Sequence, residues 1–75
     1  MSVEADDKRI ALTGRCRIED AETLLAELQR GPERPVDISG AEHLHTAVVQ
    51  ILLAAKPKIH GRARDLILDR LIGAD

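Results

Sequence analysis

The chain has 75 residues, a formal net charge of −2 at pH 7, and no Phe, Tyr or Trp among its 44% hydrophobic residues. A chain this short makes one small domain that buries only ~60% of its unfolded surface, which argues against a deep catalytic cavity. Without aromatics it lacks the stacking platforms of single-strand nucleic-acid binders, and its interspersed acids and bases give no basic footprint for DNA and no like-charge tail.

Residues 1–7 are polar and acidic and are expected to fray. In "KRIALTG" the apolar Ile10 and Leu12 alternate with polar or small residues, which predicts a strand over 9–13. Asp20 is suited to cap a helix over 20–30, with Ala21, Leu24, Leu25 and Leu28 at the spacing of one face. Gly31 is expected to supply a left-handed stop, and Pro32 forbids continuation.

A second strand is predicted over 35–39, built on Val36-Asp37-Ile38 and ending at Ser39-Gly40. Residues 41–45 then read as a loop. A helix over 46–56 follows, with Ala47, Val48, Ile51, Leu52 and Ala55 on an apolar face that Val49 and Leu53 widen. Pro57 closes it, "KIH" fits a third strand within 57–60, and Gly61 opens onto a last helix over 62–72. In that helix Ala63, Leu66, Ile67, Arg70 and Leu71 follow core spacing, while Leu68 and Ile72 are offset toward a second side. The order β-α-β-α-β-α predicts one α/β domain over 8–75, with three helices on a small, mainly parallel sheet of three to four strands.

The pair His43 and His45 has the spacing of metal ligands. A structural zinc site needs four ligands and an open catalytic site three, however, and Glu42 is the one carboxylate nearby, with Cys16 and His60 remote. No metal and no cofactor are expected. His45 beside Thr46 could serve as base and nucleophile only with a third, orienting group, and the sequence offers none, so the chain reads as a non-enzyme. The lone Cys16 cannot form a disulfide within the chain and reads as a structural residue. No stretch approaches the ~20 apolar residues of a membrane span, and "MSVEADDKR" lacks signal-peptide regions, so a cytoplasmic location is expected.

Lys56, Lys58, His60, Arg62 and Arg64 form a basic run over 56–64 without an acid. It reads as a solvated loop and helix start, or, in an alternative reading, as a contact for phosphate groups of a small ligand or nucleic acid. Thr46, at the expected start of the second helix, reads as a cap or as a hydroxyl placed for modification, because the unpaired N–H groups of a helix end favour an adjacent anion.

The segments "IALTGRCRIEDAETLLAELQ" and "PVDISGAEHLHTAVVQILLAA" together resemble the STAS family, the domains of sulphate transporters and anti-sigma factor antagonists. The likeness spans roughly residues 9–72. The family pattern runs from an apolar strand through Gly and a helix to D-[LI]-S-G, matched by Asp37-Ile38-Ser39-Gly40, then to a D-[ST]-x-G motif opening the next helix. His45-Thr46-Ala47-Val48 stands at that motif, with His45 in place of Asp and Val48 in place of Gly. The resemblance implies a short, STAS-like member with Thr46 as phosphoacceptor. It also implies a partner surface of Glu42, His43, His45, Thr46, Val48 and Val49. The implied partner is a bacterial protein such as an anti-sigma factor, a kinase of a signalling or chemotaxis cluster, or the ATPase of a lipid transporter. Neither nucleic acid nor membrane insertion belongs to this reading, and a homodimer is a further one.

Overall fold

The computed structural model describes residues 2–61. Their elements are β1 (Val3–Ala5), β2 (Ile10–Cys16), α1 (Ile18–Arg30), β3 (Val36–Leu44), α2 (Thr46–Ala55) and β4 (Ile59–His60). The strands form one sheet in the order β1-β2-β3-β4, with β1 antiparallel to β2 and the other neighbours parallel. The fold is therefore α/β, with a four-stranded mixed sheet and two helices among the described residues. The third helix expected over 62–72, with Leu68 and Ile72, lies outside them.

The two parallel crossovers advance in the same direction across the sheet, so right-handed connections place α1 and α2 on one face. There they pack on each other. Beneath them Ile10, Leu12, Cys16, Leu24, Val36, Ile38 and Val48 are fully buried. On the opposite face the register aligns Glu4, Ala11, Asp37 and His60, all exposed or half-buried. No helix among the described residues is long and apolar enough to cross a membrane.

Several boundaries differ from the sequence reading. Residues 1–7 do not simply fray: Val3 pairs with Leu12 and is buried, and Asp6 closes the turn into β2 by accepting from the amides of Lys8 (2.8 Å) and Arg9 (2.9 Å). A strand with one inward apolar residue leaves no alternation to detect. Helix α1 begins at Ile18 rather than Asp20, and Asp20, in the first turn, accepts from the Arg17 amide at 2.7 Å. Leu25, expected on the buried face, is 42% exposed beside the buried Ala21, Leu24 and Leu28. Gly31 does not adopt a left-handed conformation, having φ −151°. Its lack of a side chain matters for space, because a Cβ there would sit 2.7 Å from the Arg34 Nε.

The longest correction concerns β3, which runs past Ser39-Gly40 to Leu44. Against β2 it carries extra residues at two points: Ala11 and Thr13 pair with Asp37 and Gly40, and Gly14 and Arg15 pair with Ala41 and His43. Each bulge adds one residue, so the buried positions fall at Val36, Ile38, Ala41 and Leu44 instead of every second residue.

Arg34 is the one buried charged side chain among the described residues. Its Nη1 donates to the Asp6 carbonyl (2.9 Å), its Nε to the Gly31 carbonyl (3.2 Å), and its Nη2 to the Glu27 carbonyl and carboxylate (3.2 Å to the latter). The guanidinium thereby adds a second donor to the Glu27 and Gly31 carbonyls, which already accept from the Gly31 and Arg34 amides, and ties the end of α1 to the β1–β2 turn.

Two substitutions test this packing. Leu52, 3% exposed on α2, is expected to cost ~2–5 kcal/mol as Leu52→Ala, a large share of the stability of so small a domain. An unchanged melting temperature would contradict its placement. Arg34→Lys keeps the charge but loses the fork, and should cost ~1.5–3 kcal/mol in denaturant titration because an ammonium cannot reach all the carbonyls together.

Candidate functional site

The second bulge of β3 decides what the segment before α2 presents. Glu42 and His43 are exposed on the strand, and Leu44 turns inward opposite Cys16. The His45 amide donates to the Cys16 carbonyl at 2.8 Å, fixing the strand end to β2. His43 and His45 therefore do not share a loop: one lies in β3, the other is the N-cap of α2.

His45 has an extended backbone (φ −60°, ψ 148°), and its Nδ1 accepts from the Ala47 amide at 3.0 Å. Its carbonyl accepts from the amides of Val48 (2.9 Å) and Val49 (3.1 Å), starting the helical ladder. The capping role considered for Thr46 thus belongs to His45. Thr46 is the first helical residue, exposed, and among the described residues its hydroxyl makes no hydrogen bond. Val48 and Val49, expected to offer contact area to a partner, are 0% and 7% exposed and belong to the core. Their placement follows from the helix phase, since positions 48, 49 and 52 form the face turned toward the sheet. The exposed set is Glu42, His43 and Thr46, with His45 half-buried.

The Asp-Ile-Ser-Gly stretch serves the first bulge. Asp37 Oδ1 accepts from the Ser39 amide (2.9 Å) and hydroxyl (2.7 Å), and Oδ2 from Arg9 Nη1 (2.8 Å). Chiefly the two bonds from Ser39, and then the charges of Arg9 and His60, hold the Asp37 carboxyl below its ordinary pKa of 3.8. Gly61, at φ +84°, closes the cluster, since a Cβ there would lie 2.8 Å from the Ser39 backbone nitrogen. Sequence reasoning missed this group because Arg9 and Asp37 lie 28 positions apart, although D-x-S is itself a signature of a local side-chain turn.

Cys16 is fully buried, and burial first, then the charge of Asp20, pushes its thiol up to about 11. Such a thiol stays protonated near neutral pH and is a poor nucleophile and metal ligand. Among the described residues no group of three His, Cys, Asp or Glu side chains is placed to hold a metal ion. Lys56, Lys58 and His60 of the basic run are exposed, with Lys56 in the left-handed conformation (φ 52°) capping the far end of α2 from Thr46. Arg62 and Arg64 lie outside the described residues. The depressions beside Arg34 and on the outer sheet face beside Arg9, about 120 and 180 Å³, are smaller than the ~300–1,000 Å³ of small-molecule sites.

Compared with protein-family models, curated proteins and solved structures, the chain matches none.

The Asp37 cluster has a measurable signature. A carboxylate whose pKa is lowered on folding contributes stability that is present above its ordinary value of 3.8 and is lost as pH falls through its folded value. Asp37→Asn, which keeps an acceptor oxygen but removes the charge, should melt below the wild type at pH 7 and approach it as pH falls toward 3. Melting curves that stay parallel from pH 7 to 3 would show that the charge contributes nothing.

Proposed function

We propose that the chain is a non-enzymatic, STAS-like regulatory module that binds a protein partner through the surface before and at the start of α2. The observation that carries this reading is the exposed Thr46 hydroxyl on the first turn of a helix, beside the exposed Glu42 and His43 and above the buried Leu44, Val48 and Val49. A rigid base under an exposed polar crest suits recognition, since little ordering entropy is lost when a partner docks. The succession of strand, helix, bulged Asp-Ile-Ser-Gly strand and helix opened by Thr46 is in keeping with the family resemblance.

In this reading the partner is a bacterial cytoplasmic protein, such as an anti-sigma factor, a kinase or a transporter ATPase. A kinase partner supplies the phosphoryl donor and the transfer machinery, and the module supplies only the hydroxyl. Phosphate on Thr46 would add about −1.5 to −2 charges, which the N–H groups of the helix end accept and an acidic or apolar partner surface does not. Phosphorylation then releases the partner.

A second reading has one observation in its favour: Lys58 and His60, two residues apart around β4, are both exposed in the basic run. It makes the chain a binder of a phosphate-bearing ligand or nucleic acid through residues 56–64. Retention on DNA or phosphate resin that falls steeply with salt would favour it.

Thr46→Asp and Thr46→Ala separate recognition from folding. Because His45 holds the cap, Thr46→Ala should leave stability within ~0.5 kcal/mol, and Thr46→Asp should gain ~0.3–1 kcal/mol from the helix dipole. In binding to the protein that co-purifies with the wild type, Thr46→Asp is expected to lose affinity and Thr46→Ala to keep it. Wild-type affinity in both folded variants would place the partner elsewhere.

A further inference from the structure

We infer that the start of α2 is a pH-sensitive joint, in which the neutral His45 imidazole caps the helix and its protonation removes the cap. Nδ1 accepts from the Ala47 amide at 3.0 Å, so in this state it carries a lone pair and the ring proton sits on Nε2. An imidazolium has no acceptor nitrogen. Protonation therefore breaks the bond and also places a positive charge against the positive end of the helix dipole, two losses of the same sign. An Asp, Asn, Ser or Thr cap suffers neither loss near neutral pH, so the dependence comes from the residue type at this position.

The end of β2 brings Arg15 and Cys16, the start of α1 brings Arg17, Glu19 and Asp20, and β3 brings Glu42 and His43. The first turn of α2 contains no acidic residue. Among the described residues none of these side chains forms an ion pair or hydrogen bond with the His45 ring. The Cys16 thiol is neutral throughout the histidine range.

The unfolded chain takes up a proton on this ring without losing a hydrogen bond, so acid favours the uncapped state. The stability contributed by the cap is present while the ring is neutral and is lost as pH falls through the histidine range. The regulatory consequence rests on the partner reading above: at neutral pH the first turn that carries Thr46 is held in order, and in mild acid it loosens.

The test uses the full chain without any partner, so its failure is distinct from failure of the partner reading. Imidazole nitrogen–proton correlation spectra at pH 8 should show His45 protonated on Nε2, and the protection of the Ala47 amide, its exchange rate measured against that of an unstructured chain at the same pH, should be lower at pH 5 than at pH 8. His45→Asn keeps a strong cap that does not titrate. Between pH 8 and pH 5 the wild type should lose about 4–8 °C more in melting temperature than this variant. His43→Gln should retain the wild-type drop. An Nδ1-protonated ring at pH 8, or an equal drop in His45→Asn, would overturn the inference.

Discussion

The parallel pairing of β2 with β3 carries the molecule. It places Ile10 and Leu12 beside Val36 and Ile38 under the helices, and every other element attaches to one of these two strands or to a helix packed on them. Because each crossover advances in the same direction, the buried branched side chains among the described residues are gathered on one face of the sheet. In a domain without aromatics the core consists of branched aliphatic side chains, Ala and Cys16, which bury little area each. Small losses of packing therefore weigh heavily.

The two bulges in β3 convert that pairing into a site. Each adds a residue to β3 while β2 keeps its length, so the strand gains reach and turns Leu44 inward at its end, opposite Cys16. That register lets the His45 amide meet the Cys16 carbonyl, and the bond sets the direction in which α2 departs. The Asp37 carboxylate braces the first bulge through Ser39, and Arg9 and Gly61 close around it. Asp-Ile-Ser-Gly is thus a structural feature whose effect appears several residues further on, at the start of the helix.

Arg34 performs the corresponding task at the other end of the sheet. Its three nitrogens donate to the carbonyls of Asp6, Gly31 and Glu27 and to the Glu27 carboxylate, so the charge is buried without being left unpaired. The fork joins the β1–β2 turn to the end of α1, which explains why a three-residue edge strand with a single inward side chain stays in place. The two ends of the sheet are thereby divided in role: one is tied by a permanently charged group, the other is capped by the His45 imidazole.

What the sequence determined alone was the part written in local periodicity. The apolar faces of α1 and α2, the short apolar runs at Ile10–Leu12 and Val36–Ile38, and the burial of Leu52 all follow from spacings within a few residues, although Leu53 and Ala55, expected on the α2 face, are exposed, and the strand–helix alternation implies parallel pairing. Tertiary structure decided the rest. β1 has one inward apolar residue, and the bulged half of β3 repeats in threes, so neither displays a period of two until β2 is beside it. Leu25 fits the α1 stripe and remains exposed, because the neighbouring elements and not the stripe set where the core ends. The cap fell to His45 rather than Thr46 because the bond to Cys16 across the sheet fixes where the strand stops, and hence which side chain reaches the open amide of Ala47. The same phase turned Val48 and Val49 inward and left Thr46 facing solvent.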